Sequence, residues 1–194
     1  MSIRLIVSRP SLQSMAEKYE HHAAEKNSAQ REAKVAKEWG DLSENAEYKA
    51  SKEKFRLAGR LQQRMVREFK RLEDSGYEVV DPLDWTRTPG PVRMVEVGVV
   101  ARVTQGRFTE DYLLAGAKDQ HLPTDQSLVP VPYTAPLGQA LMGQSAPGDI
   151  RALIAGEWRQ IRLESLRTPT EAEILALYPE LTPPPDENRP APVR

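Results

Sequence analysis

The chain has 194 residues, a formal net charge of -1 and no cysteine. That excludes disulfides and thiolate zinc centres, and it leaves no global acidity or basicity to point at a partner. The length suits one or two domains, no apolar run reaches the span of a bilayer, and the N-terminus lacks the basic start, apolar core and small-residue cleavage site of a signal peptide; the expectation is a soluble cytoplasmic protein.

Residues 1–10, ending at Pro10, read as an N-terminal extension, and residues 11–76 as a helical hairpin. Leu12, Met15, Tyr19, His22, Lys26, Ala29, Ala33 and Ala36 recur at alternating three- and four-residue steps, a heptad seam with two polar members. After a break at Gly40 the same steps return in Tyr48, Ser51, Phe55, Ala58, Gln62, Met65, Phe69 and Leu72. Two seams of equal length joined by so short a connection predict an antiparallel coiled-coil hairpin. At about 1.5 Å per residue, each helix of roughly 28 residues extends on the order of 40 Å. The alanines of the first seam allow close helix approach but bury little area per layer, so the rod is slender and marginally stable. His21 and His22 are adjacent, about 100° apart on a helix, and are not expected to aim at one metal from one face.

The connection is acidic: Gly40-Asp41-Leu42-Ser43-Glu44-Asn45-Ala46-Glu47-Tyr48. Two readings of it stand. Asp41 and Glu44, three apart, have the spacing of a capping box, with Ser43 another candidate cap. Alternatively, Asp41 and Glu44 lie side by side, and a divalent cation relieves their repulsion. One or two carboxylates suit Mg2+, which keeps several waters and takes its other ligands from phosphate or another macromolecule. Behind the connection the second helix carries Lys49, Lys52, Lys54, Arg56, Arg60, Arg64, Arg67, Lys70 and Arg71 against Glu53 and Glu68. With Phe55 at heptad position a, Arg56, Arg60, Arg64, Arg67, Lys70 and Arg71 face away from the seam. Such a face is either ordinary solvation or an approach surface for phosphate, and the opposite sign of the connection favours the second.

Asp74-Ser75-Gly76 ends the periodicity, and the Pro and Gly residues after it mark 77–91 as a linker. A second domain is expected over 92–167. Its predicted elements are strands over Val92–Val103 and Phe108–Ala115, a Pro-interrupted edge strand over Leu128–Tyr133, a short helix over Pro136–Met142, and a final strand pair, Asp149–Ile154 and Glu157–Leu166, joined at Ala155-Gly156. Residues 168–194 read as a short helix followed by a Pro-rich disordered tail. The fold class is α+β: an N-terminal antiparallel coiled-coil hairpin and a small C-terminal α+β domain.

The stretch Gly40 to Tyr48 resembles the tip motif of the bacterial Gre transcript-cleavage factors. A second match lies in Ala135-Pro136-Leu137-Gly138-Gln139-Ala140-Leu141-Met142-Gly143 followed by Gly148-Asp149, which is similar in order and spacing to the family's C-terminal pattern. The resemblance spans roughly residues 12 to 167. It implies an FK506-binding-protein-like C-terminal domain that docks on RNA polymerase, and a coiled coil that enters the polymerase's secondary channel as a monomer. In a backtracked complex the tip would meet the RNA 3′ end. There Asp41 and Glu44 would contact a Mg2+ ion shared with polymerase and its water, and Ser43 would orient the tip or the water. Asn45, Glu47 and Tyr48 would support the tip, Tyr48 from a seam position that also suits packing. Lys52, Arg56, Arg60 and Arg64 are candidates to hold the extruded RNA. The protein would then be no enzyme itself but an accessory factor that completes the polymerase centre.

The chain departs from the family pattern at Ser2–Pro10, at Trp39, at Lys49 where many members carry His, at Tyr133-Thr134-Ala135-Pro136, and in its Pro-rich end. Besides cleavage stimulation, two further readings stand: a Gre-like channel binder that regulates or inhibits without cleavage, and an unrelated coiled-coil module whose second half acts as a prolyl isomerase. The sparse aromatics of that half speak against the isomerase.

Overall fold

A computed structural model describes residues 4–38, 46–87, 91–120, 122–123 and 127–182. The chain divides into two compact units, one holding residues up to Leu5 and Leu12–Tyr77, the other Ile6–Ser11 and the residues from Glu78 on.

The first unit is built on two helices of 30 residues each, α1 (Arg9–Glu38) and α2 (Ala46–Ser75). They run antiparallel, since Lys26 Nζ reaches Gln62 Oε1 at 3.3 Å while Lys54 Nζ, nearer the start of α2, reaches Glu32 at 3.4 Å. Every position of both predicted seams is buried or half-buried. Met15, Ala29, Ala36, Ala58 and Leu72 are the most enclosed apolar members. The seam is therefore a run of small side chains closed at intervals by large ones, and two of its polar members, Lys26 and Gln62, bond to one another across it. Among the described residues, no helix is long and apolar enough to cross a membrane.

The second unit holds a five-stranded sheet in the order β5-β4-β3-β7-β6. The strands are β3 (Val100–Gln105), β4 (Phe108–Ala115), β5 (Leu128–Pro132), β6 (Gly148–Ile154) and β7 (Glu157–Arg167). All neighbours pair antiparallel except β4 with β5, which pair parallel. That leaves the strand carrying Pro130 and Pro132 at the edge, where missing N–H donors cost least. Alternation splits the core. Val100, Leu113 and Leu128 face Trp85, Ile174, Leu177 and Tyr178, whereas Ala101, Val103, Leu114, Ile161 and Leu163 face Leu141 of α3 (Pro136–Leu141) on the other side.

Several segments differ from the reading of the sequence. Residues 1–10 are not simply an extension: Leu5–Ser8 form β1, which pairs with β2 (Tyr77–Val80), and α1 already begins at Arg9. The β-branched pair Ile6-Val7 suits that pairing, and Val7 is fully buried. Nor is 77–91 a bare linker, because β2 is followed by a 3-10 helix over Pro82–Arg87. Its Trp85 packs edge-on to Tyr178 with ring centroids 6.2 Å apart. The strand expected from Val92 starts only at Val100. Gly98, at φ +90, brings the backbone so close to Trp85 that a Cβ there would lie 2.4 Å from the indole, and this bend breaks the strand. The helix after residue 168 belongs to the core rather than to a tail: α4 (Glu171–Leu177) buries Ile174 and Leu177 completely, and Tyr178 beside them. Of the tail expected from Pro179 on, Pro179–Leu181 instead form a 3-10 helix whose Leu181 packs against the core, and residues 183–194 lie outside the described residues.

One polar cluster is enclosed in this unit. Asp119, buried at 1% exposure, accepts hydrogen bonds from the hydroxyls of Ser8 and Ser11, from the Gly116 N–H at 2.7 Å and from the Tyr178 hydroxyl at 2.8 Å. Four donors saturate the carboxylate and tie β1, the first turn of α1 and the end of α4 to one side chain. Burial beside that charge also raises the Tyr178 pKa, which keeps the phenol a donor.

Candidate functional site

Of the residues that the sequence nominated for chemistry, Asp41, Ser43, Glu44 and Asn45 lie outside the described residues. The residues flanking them in the first turns of α2 are described. Glu47 is exposed and Tyr48 half-buried, as its seam position requires. Lys52 Nζ stands 5.6 Å from the centroid of the Tyr48 ring, within cation–π range. Glu47 also lines a cleft of about 680 Å3 between the two helices, with Val35 and Ala36 on one wall and Ala50, Ser51 and Lys54 on the other. Small residues at these positions leave the cleft open.

The nominated cations are all exposed: Lys52, Arg56, Arg60 and Arg64 lie on α2 at four-residue steps, so they form one stripe. Lys49, Lys52, Arg56 and Arg60 line a shallow depression of about 360 Å3, with Glu53 its single acid. None of the ion pairs among the described residues engages Lys49, Lys52, Arg56, Arg60 or Arg64, whereas Lys54 and Arg71 pair with Glu32 and Glu68. The stripe therefore keeps its charge available to a polyanion.

His21 and His22 were expected to diverge. The structure corrects this: both side chains turn to Glu25, with His21 Nε2 at 3.5 Å from one carboxylate oxygen and His22 Nδ1 at 3.1 Å from the other. The 100° between neighbouring residues is bridged by an acceptor one turn further on. The i,i+4 and i,i+3 spacing to Glu25 was the signal in the sequence, and it is missed when only the two histidines are compared.

In the second unit a cavity of about 260 Å3 opens on the α3 face, lined by Val103, Gln105, Phe108, Glu110, Tyr112, Leu137, Ile154 and Ile161. That is below the range of about 300 to 1,000 Å3 usual for small-ligand sites, and only two aromatic residues line it, which gives the isomerase reading little room.

Among curated proteins none matches this sequence. Solved structures similar to the chain include GreA factor homolog 1 (Gfh1) of Thermus thermophilus, at 12% identity and a TM-score of 0.34 over 85% of this chain and 99% of that one. A second, titled the transcription factor Gfh1, has 14% identity and a TM-score of 0.35, over 86% of this chain and 99% of that one. Gfh1 of Thermus aquaticus follows at 11% and 0.34, over 84% and 98%. These global likenesses are too weak to carry an argument. The family described as "Transcription elongation factor, N-terminal", the GreA/GreB N-terminal domain, matches residues 5–73. The matched segment begins with β1 and runs through α1 and nearly all of α2, with the acidic connection between them. Residues 5–73 of this chain are therefore similar to the Gre-type N-terminal domain of the transcription elongation factors.

Proposed function

We propose that this protein is a transcription elongation factor that binds RNA polymerase at its secondary channel and stimulates the polymerase's own endonucleolytic cleavage of backtracked RNA. The observation that carries the reading is the family match over residues 5–73, within which Asp41 and Glu44 stand in the connection between two long antiparallel helices. The donor set fits Mg2+: two carboxylates within four residues offer hard oxygen ligands and leave the remaining positions to water, phosphate and the partner. Bound there, Mg2+ would supply the second ion of a two-metal phosphodiester hydrolysis.

The chain's own residues divide the remaining work. Asp41 and Glu44 present oxygens to the shared site, and Ser43 fixes the connection or the attacking water by hydrogen bonding. Glu47 adds negative charge at the start of α2, where the helix dipole favours it. Asn45 and Tyr48 are assigned the support of the tip, Tyr48 from its half-buried seam position. Lys52, Arg56, Arg60 and Arg64 hold RNA phosphates without reading sequence. The sheet unit supplies docking on polymerase through an FK506-binding-protein-like fold, and the factor acts as a monomer.

The test adds the protein and Mg2+ to stalled, backtracked elongation complexes and looks for short 3′-terminal RNA products. Wild type releases them. Asp41→Ala and Glu44→Ala retain polymerase binding and lose at least about 10²-fold in release, the scale expected when a transition-state electrostatic contact is removed. Normal cleavage by both variants would sink the metal-ligand assignment. Polymerase binding without any release by wild type would leave a channel-binding regulator in its place.

A further inference from the structure

We propose that His21, His22 and Glu25 form a surface site on α1 for a transition-metal dication, Zn2+ above all. One ligand atom from each of the three residues can be chosen so that all lie within 4.8 Å of one another. The two histidine–carboxylate separations are 3.5 and 3.1 Å, and the imidazole centroids are 5.5 Å apart. A tetrahedral Zn2+ with bonds of about 2.0 to 2.2 Å sets its ligand atoms roughly 3.3 Å apart. Each imidazole nitrogen thus already stands near that distance from a Glu25 oxygen, His21 from one oxygen and His22 from the other. Small rotations of Glu25 and of His21, whose side chain is 67% exposed, bring both nitrogens to a single ion.

His22 is the fixed member. It occupies a seam position with a side chain only 20% exposed, so packing between the helices has already restricted its rotamers and less entropy is lost on binding. Glu25, half exposed, reaches both rings from one turn further along the helix. Two imidazoles and one carboxylate select Zn2+, Cu2+ or Ni2+ over Mg2+, which prefers oxygen alone. The site therefore differs in chemistry from the two-carboxylate connection and stands independently of the function proposed above. Three protein ligands leave a fourth position to water. A metal held there cross-links one turn of a helix whose seam is rich in alanine, and so stiffens it.

The alternative is that these contacts are ordinary helix-surface pairs with no affinity for metal. Calorimetric titration of the chelator-stripped, full-length protein with ZnCl2 separates the two. One equivalent is expected to bind, with affinity falling about tenfold or more in His22→Ala and in Glu25→Gln. Glu25→Gln keeps the size and helix propensity of the side chain, and equal far-UV circular dichroism will confirm that its helices are intact. His121→Ala, which removes the remaining histidine, is expected to bind as wild type does, and Mg2+ at equal concentration is expected not to displace Zn2+. Absence of Zn2+ binding, affinity unchanged in His22→Ala and Glu25→Gln, loss in His121→Ala, or displacement by equimolar Mg2+ would each overturn the site.

Discussion

Gly138 and Gly59 show how one residue type carries opposite consequences. A Cβ on Gly138 would lie 2.2 Å from the Pro132 carbonyl oxygen and 2.7 Å from the Tyr133 Cα, both backbone atoms that cannot swing aside. The close approach of α3 to the end of β5 depends on that hydrogen. Gly138→Ala is expected to destabilise the sheet unit by about 3 kcal/mol, the upper range for overpacking a core. Gly59, in the middle of α2, has only the flexible end of Lys26 nearby, at 3.9 Å. Gly59→Ala is expected to stabilise by roughly 0.5 to 1 kcal/mol, because alanine loses less backbone freedom in a helix. Chemical denaturation of the two variants checks both signs. Gly138 sits inside a motif quoted from the sequence, yet its steric role is set by Pro132, six residues earlier, and that proximity is tertiary.

Among the elements, α4 is held by charge as well as by packing. Thr170 caps it in a reciprocal box with Glu173, and Arg167 at the end of β7 donates to both oxygens of Glu173, at 2.9 and 2.7 Å, and to Asp111 of β4 at 3.0 Å. The Arg167 hydrogen bonds, together with those from Thr170, hold the Glu173 carboxyl down at about 2 from an ordinary 4.5. The Arg102 guanidinium, and Arg167 after it, lower Asp111 in the same way. Both carboxylates therefore stabilise the folded unit fully above their ordinary pKa; the Glu173 contribution is lost as pH falls from about 4.5 through about 2, and that of Asp111 as pH falls below its own ordinary range. Thermal melts across this window are expected to show a decline that is shallower in Glu173→Gln, whose stability at neutral pH is already reduced; parallel pH profiles would contradict the assignment. The capping signal Thr170-x-x-Glu173 was present in the sequence, but the docking of the helix was not. That required Tyr178 to meet both Trp85 and Asp119, two partners brought together only by the sheet.

At the scale of the whole molecule, a net charge of -1 conceals a segregated one, with acids in the hairpin connection and an exposed basic stripe along α2. If the stripe holds RNA phosphates, Arg56→Ala and Arg60→Ala should each weaken binding to backtracked complexes. Each should also reduce the slope of log affinity against log salt by about one. Unchanged slopes in both variants would return the stripe to simple solvation. The hairpin seams and the strands from Phe108 onward were legible in the amino-acid order, because heptad spacing, β-branched alternation and Gly or Pro breaks are local properties of neighbouring residues. What required the tertiary structure was every feature made by partners far apart in the chain. Ser8 and Ser11 close on Asp119, Trp85 is drawn from an apparent linker into the core, and Gly98 bends around that indole, delaying the strand to Val100. The meeting of His21 and His22 at Glu25 is local in sequence, yet it too depends on the His22 rotamer that packing between the helices selects, which spacing alone does not encode.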